Sequence, residues 1–332
     1  LHYMAVWLTG ELNLSALREA WRRVCLRHDV LRRTYLSPEE ACTYEEPLSE
    51  VKLYTAETDA EAVALLRRYI GTPFDLAGPG FSRIAVVQRG DRRFLLGLAI
   101  DHIINDLASW FRLRADFIEF YDRALAGDPT TGTHTSRSYQ SFASEQRRMF
   151  AGAWGKECRE FWQTYTKEFG TFPPPFSVGE RTDEFQPDVI TRRLPSDAKT
   201  RLHDFSVRAR VTPFAVVTAA VLSAAREVTG TPLPGTSVNQ HGRMMPGTAE
   251  TVGLFVQTVP LHLEREVKSP LETAREVFLR THDVFEYSIP LLVAGRYWGE
   301  TLMEPDQAAG LYVSLNEESP SSYDELPLTG TK

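Results

Sequence analysis

Near the start of the chain, Tyr3, Val6 and Leu8 with Trp7 between them run up to Gly10, a pattern that predicts a strand. Leu14, Leu17, Trp21, Val24 and His28 then recur at helical spacing, so the strand leads into an amphipathic helix. Ala62, Leu65, Leu66 and Tyr69 predict a helix over 61–70, stopped by Gly71-Thr72-Pro73, and Pro79-Gly80 makes a turn. The apolar runs 84–87 and 94–100 flank Arg89-Gly90-Asp91, a charged turn containing Gly, and predict an antiparallel hairpin whose second strand runs into Asp101. Leu113, Phe117, Phe120, Tyr121 and Leu125 return to helical spacing over 109–125, and Gly127-Asp128-Pro129 closes that helix.

A Thr/Ser/Gly-rich loop over 130–138 precedes a helical stretch at 139–168 that carries Trp154, Phe161, Trp162 and Tyr165. Phe172-Pro173-Pro174-Pro175-Phe176 ends it, because consecutive prolines cannot continue a helix, and the boundary between two lobes, 1–172 and 173–332, is expected there. The second half is expected to hold a strand at 189–194, a long helix over about 197–228 that breaks or restarts at Pro213, and strands near 254–263 and 311–316. Strands interleaved with helices, hairpins included, indicate an α+β or mixed-sheet α/β architecture.

Composition narrows the function classes. The 332 residues are 42% hydrophobic and 24% charged, which excludes a disordered or disulfide-scaffold chain and leaves one large or two ordinary domains. A formal net charge of -7 lacks the basic excess that nucleic-acid binding needs. Cys25, Cys42 and Cys158 are odd in number and unlike any metal motif in spacing, which suits free thiols in a reducing, cytoplasmic setting. The longest apolar run, 94–100, has seven residues and a Gly inside it, far below the roughly 20 that cross a bilayer, so no membrane span and no membrane partner are expected. No signal peptide is legible, and the chain opens mid-pattern, as a trimmed fragment would.

The most informative segment is Asp101-His102-Ile103-Ile104-Asn105-Asp106-Leu107-Ala108-Ser109. An apolar strand ends in an acid and an imidazole, and a second acid follows four residues after the His where a helix opens. His102 could take a proton from an incoming amine or hydroxyl, and Asp106 could fix the loop through an ion pair. On spacing alone a second reading stands beside this one: Asp106 or Ser109 caps the helix, and His102 is a hydrogen-bonded core residue.

The segment resembles the HHxxxDGxS signature of the condensation-domain superfamily, the chloramphenicol-acetyltransferase-like acyltransferases that include nonribosomal peptide condensation domains. Four further stretches agree in order. Leu8-Thr9-Gly10-Glu11-Leu12-Asn13, with Arg27-His28-Asp29-Val30-Leu31-Arg32, is similar to the family's first block, and Phe81-Ser82-Arg83 resembles a block ahead of the hairpin. Asn239-Gln240-His241-Gly242-Arg243 resembles a loop ending in Arg, and residues 252–261, which include Gly253 and Gln257, resemble "(I/V)GxFVNTxPL".

The resemblance implies two chloramphenicol-acetyltransferase-like lobes in a V-shaped pseudo-dimer, with the active-site loop in the first lobe and a second lobe that continues beyond Lys332. It makes His102 the catalytic His and Asp106 the structural Asp paired with an Arg, here expected to be Arg83. Leu107, Ser109, Arg243, Gly253 and Gln257 then line or support a substrate tunnel. The implied activity is acyl transfer from a carrier-protein-bound thioester to an amine or hydroxyl. The partners would be peptidyl or acyl carrier proteins and neighbouring synthetase domains; this chain would hold no cofactor and no metal, since the phosphopantetheine belongs to the carrier.

Three departures qualify the match. Asp101 stands at the first His, Leu107 at the Gly, and Gln257 at the Asn of the later block. Asp101, Asp106 and Ser109 meet the DxxxxDxxS pattern of heterocyclization domains, which keeps thiazoline or oxazoline formation as an alternative. Leu107 adds a side chain where substrate would pass, which keeps a catalytically degenerate, partner-recruiting domain as another. Trp7, Trp21, Trp154, Trp162 and Trp298 are expected in cores, His203, His262 and His282 as structural or surface residues, and His241 on a solvated loop. Asp306, Glu317, Glu318, Asp324 and Glu325 are too dispersed for a metal motif.

Overall fold

The computed structural model describes residues 2–37, 40–129, 137–169, 190–230, 235–263, 269–302, 311–315 and 324–327. The chain packs into two compact units. One comprises 1–146, 243–255 and 318–332, the other 147–242 and 256–317. The expected boundary at 172/173 falls outside the described residues.

Among the described residues, the strands of the chain are β1 (His2–Thr9), β2 (Arg33–Tyr35), β3 (Ala41–Thr43), β4 (Val51–Thr55), β5 (Ser82–Gln88), β6 (Arg93–Ile100), β7 (Gly235–Gln240), β8 (Gln257–His262), β9 (Tyr312–Val313) and β10 (Asp324–Pro327). Its helices are α1 (Leu14–Arg27), α2 (Asp59–Ile70), α3 (Leu107–Leu125), α4 (Tyr139–Ala151), α5 (Ala153–Phe169), α6 (Ala198–Ala209), α7 (Pro213–Thr229), α8 (Pro270–Glu286) and α9 (Leu291–Trp298).

Among the described residues, the first unit is built on a five-stranded sheet in the order β10-β1-β6-β5-β4. The expected hairpin is present, β5 and β6 pairing antiparallel with Ser82 opposite Ile100. Alternation along the strands splits their side chains between two apolar layers. Ala5, Trp7, Ala85, Val87, Leu95 and Ala99 pack with Ala62, Leu66 and Ile70 of α2. Val6, Leu8, Ile84, Val86, Phe94, Leu98 and Ile100 face the other way, onto Leu17, Trp21 and Val24 of α1 and Leu113 and Phe120 of α3. Both faces are covered, which is why β5 and β6 read as nearly continuous apolar runs.

A buried polar joint ties α1 to α3. His28 Nε2 donates to Asp116 Oδ2 at 2.7 Å, Arg112 Nε donates to the same oxygen at 2.9 Å, and Arg27 Nη1 lies 3.2 Å from Oδ1. Burial disfavours the charged forms of both His28 and Asp116. It pushes the His28 imidazole below its ordinary value of 6.5, the carboxylate's opposing pull notwithstanding. For Asp116 the bonds from His28 and Arg112 and the charge of Arg27 outweigh burial, and its carboxyl lies below the usual 3.8. Both folded-state values are depressed, so the stability these groups supply is complete above 6.5 and is lost first through His28, then through Asp116, as pH falls. Thermal melts are expected to show a falling Tm between about pH 7 and pH 5, and the His28→Gln variant, which keeps a donor but does not titrate, should lose that slope.

The second unit holds, among the described residues, the three-stranded sheet β8-β7-β9. Val238, Val259 and Leu261 of this sheet pack with Cys158, Trp162, Ala215, Ala219, Leu222 and Val277. Trp162 is fully buried and its indole donates to the carbonyl of Tyr287 at 2.7 Å. Pro213 starts α7 after Thr212, whose hydroxyl accepts from Ala215 N, and so it marks a new helix. Among the described residues no single helix is long and apolar enough to cross a membrane; α6 and α7 reach the length together but meet at 100°, and α7 turns Ala215, Ala219 and Leu222 into the core.

Three expected elements differ. The stretch 139–168 is two helices, because a bend at Gly152 brings the Phe150 carbonyl within 2.2 Å of where a Cβ on Gly155 would lie. Residues 190–194 form no strand: Ile190 and Leu194 are 77% and 72% exposed, and they pair with no strand among the described residues; Val189 lies outside the described residues. The 311–316 strand is reduced to β9, and Asn316 is outside them too.

Candidate active site

The end of β6 delivers the motif. Asp101 N is held by the carbonyl of Phe81 at 2.9 Å, and its Oδ1 accepts from Ile103 N at 3.0 Å, capping a single 3-10 turn over His102–Ile104. Asn105, fully buried, donates Nδ2 to the Asp101 carbonyl at 2.6 Å and closes the turn. His102 is exposed, and its Nδ1 lies 2.8 Å from the carbonyl of Asn105. A carbonyl can only accept, so Nδ1 carries a proton, and whenever the ring is neutral its lone pair is on Nε2. Of the two open readings of His102, the core one is therefore excluded.

Asp106 does both things that spacing allowed. It is buried and caps α3, Oδ1 accepting from Ser109 N and from Ser109 Oγ at 2.8 Å each. The same oxygen takes Arg243 Nη2 at 2.8 Å, and Oδ2 accepts from Phe255 N at 3.1 Å. Arg243 also reaches the carbonyls of Thr248 and Thr251 at 2.6 Å each and lies over the Phe255 ring at 4.1 Å. Ser109 Oγ accepts from Arg243 Nη2 and Gly253 N, and its one proton serves Asp106 or the Gly253 carbonyl. Asp106, Ser109, Arg243 and Gly253 thus form a single polar joint that pins 243–255 to the start of α3.

The expected partner of Asp106 is corrected. Arg83 donates to the carbonyls of Thr72 and Pro73 and lies 4.0 Å over the Phe74 ring, where it braces the loop after α2; the ion pair is made by Arg243 instead. Gly253 is required by a close approach, since a Cβ there would sit 2.1 Å from the Tyr139 ring, whose hydroxyl is itself bound to the Leu254 carbonyl at 2.8 Å. Leu107 is the half-buried first residue of α3 with ordinary helical backbone, so the position makes no demand for glycine's left-handed range. Gln257 opens β8 in the second unit, where Oε1 accepts from Ser288 Oγ at 2.7 Å.

Two residues of the site were not legible in the sequence. Asn105 supplies the carbonyl that sets the His102 tautomer. His2 on β1, opposite Ile100 in the register, donates Nδ1 to Asn105 Oδ1 at 2.9 Å and brings its ring to 3.9 Å from that of His102, centroid to centroid. Other candidates recede. Cys25 and Cys158 are buried, which pushes both thiols up to about 12, too high for nucleophiles near neutrality. His203, His241 and His282 are exposed, and His262 is buried beside Tyr165. Among the described residues no group of three or more His, Cys, Asp or Glu is placed to hold a metal ion; Asp306, Glu317 and Glu318 lie outside them.

Sequence comparison decides the family. The profile described as Condensation domain matches residues 2–288. The chain belongs to the condensation domain family. The condensation-domain chain is 25% identical over 300 residues to the beauvericin nonribosomal cyclodepsipeptide synthetase of Beauveria bassiana, a match that covers 85% of this chain and 9% of that protein. It thus spans under a tenth of that relative's length. Among solved structures, the first condensation domain of the calcium-dependent antibiotic synthetase aligns with a TM-score of 0.70 at 20% identity, covering 86% of this chain and 69% of that one. The EpoB cyclization-docking bidomain from Sorangium cellulosum aligns at 0.72 with 21% identity, over 95% and 66%. Both likenesses concern the fold, which is the mixed helix-and-sheet, chloramphenicol-acetyltransferase-like one the sequence implied.

Proposed function

We propose that this condensation domain joins an acyl or aminoacyl thioester, borne on the phosphopantetheine arm of a carrier protein, to an amine, or less readily a hydroxyl, in nonribosomal peptide or polyketide-hybrid biosynthesis. The observation that carries the reading is the exposed His102 ring, whose Nδ1 proton is committed to the Asn105 carbonyl so that Nε2 stands ready to accept one. In the reaction the acceptor nitrogen attacks the thioester carbonyl carbon as Nε2 takes its proton. The C–N bond forms, the C–S bond breaks, and the proton passes to the leaving thiolate. Asp101 and Asp106 serve by holding the turn, since their carboxylates bond to Ile103, Ser109, Arg243 and Phe255 of the loop and its neighbours. The carrier supplies the pantetheine, this chain holds no cofactor of its own, and a cytoplasmic setting with its synthetase neighbours completes the proposal.

A panel of loaded carrier proteins and amine acceptors, with products read by mass spectrometry, tests it. The expected product is the acyl-acceptor adduct. An adduct lighter by one further water would favour the cyclization alternative that the Asp101, Asp106, Ser109 pattern suggests. No turnover on any carrier, with a stable partner in a pull-down, would favour a recruiting domain without catalysis.

A further inference from the structure

The Asn105 side chain has one orientation open to it. Its Nδ2 faces the Asp101 carbonyl at 2.6 Å, which can only accept, so Oδ1 is the atom turned toward His2. His2 Nδ1, 2.9 Å away, must then carry a proton. The same residue therefore fixes both imidazoles, His2 through its side-chain oxygen and His102 through its main-chain oxygen, each with a proton on Nδ1. The rings lie 3.9 Å apart at 45°, in contact. An exposed histidine on a three-residue turn would otherwise sample several rotamers, and the His2 ring packs against this one from β1.

We propose that His2 is a positioning residue for the condensation reaction: clamped by Asn105, its ring packs against His102 and holds that ring in the orientation and tautomer that keep Nε2 free. Burial, and after it the proximity of His102, depress the protonation of His2, with Asn105 and Asp106 opposing. The ring that His102 meets is thus a neutral one. When His102 becomes cationic on taking the acceptor's proton, it does so beside a neutral aromatic face rather than a second cation. The proposal rests on the acyl-transfer reading for its kinetic consequence but not for its structural one.

The test separates the two. In the protein as it stands, NMR of the imidazole nitrogens should show His102 in the Nδ1–H tautomer alone. In His2→Ala the Nε2–H tautomer of His102 should become populated, and kcat on a loaded carrier should fall about 10-fold with KM nearly unchanged, the mark of a misplaced group rather than lost binding. His2→Phe, which restores a ring, should recover most of both, and circular dichroism of each variant reports the fold. An unchanged His102 tautomer in His2→Ala would overturn the role of His2 whatever the activity. A chain with no turnover but with the expected tautomer change would instead overturn the acyl-transfer reading and leave the clamp standing.

Discussion

Replacing His102 with Ala is expected to lower product formation by about 10²- to 10⁴-fold, the range spanned by a general base, while the fold survives. The two halves of that expectation come from different observations. The imidazole is exposed, and it hydrogen-bonds to the Asn105 carbonyl, which water can satisfy once the ring is gone. Exposed substitutions of this kind shift stability by about 0.5 kcal/mol or less. The turn itself is held by Asp101, Asn105 and the carbonyl of Phe81, none of which depends on the ring. Circular dichroism and Tm should therefore match those of the parent while mass spectrometry finds the acyl-acceptor product almost absent. Full turnover in His102→Ala would remove the base from the mechanism. A collapse of Tm would instead mean that the ring holds the turn.

The parts of this site that could be read from sequence are those made by neighbours along the chain. Asp106 and Ser109 lie three residues apart at a helix start, so the capping interaction was available from spacing, and the hairpin that carries the motif announced itself through Gly90 between two apolar runs. Interactions across the fold were not available. Arg83 lies closer in sequence to Asp106 and on the neighbouring strand, yet Arg243, 137 residues away, makes the pair. What separates the two arginines is the path of 243–255, which packs with the first unit although the chain on either side of it belongs to the second. The role of His2 is hidden in the sequence for a related reason. Its place beside His102 follows from the antiparallel register of β1 on β6, which sets His2 opposite Ile100, and nothing in a strand's own pattern states its register. The broken helix at Gly152 is the opposite case, since Gly152 and Gly155 were legible signals that the aromatic periodicity on either side masked.

The polar joint around Asp106 sets up the second large effect. Asp106→Ala is expected to destabilise the protein by about 3–5 kcal/mol, the cost of breaking a buried pair from one side. Three contributions add. The α3 cap is lost, worth about 1 kcal/mol. Ser109 Oγ and Phe255 N lose their carboxylate acceptor inside the protein. The Arg243 guanidinium keeps the Thr248 and Thr251 carbonyls and the Phe255 ring but loses the Asp106 carboxylate. Removing the charge on both sides, in Asp106→Ala with Arg243→Met, should cost less than the sum of the single changes, because each single change already breaks the bond the two side chains share. A coupling of about 1–3 kcal/mol is expected from groups in one network. Urea denaturation of the four proteins in the cycle measures it. Strictly additive losses would show that Asp106 acts only as a helix cap and that Arg243 holds its own loop without help from the Asp106 carboxylate.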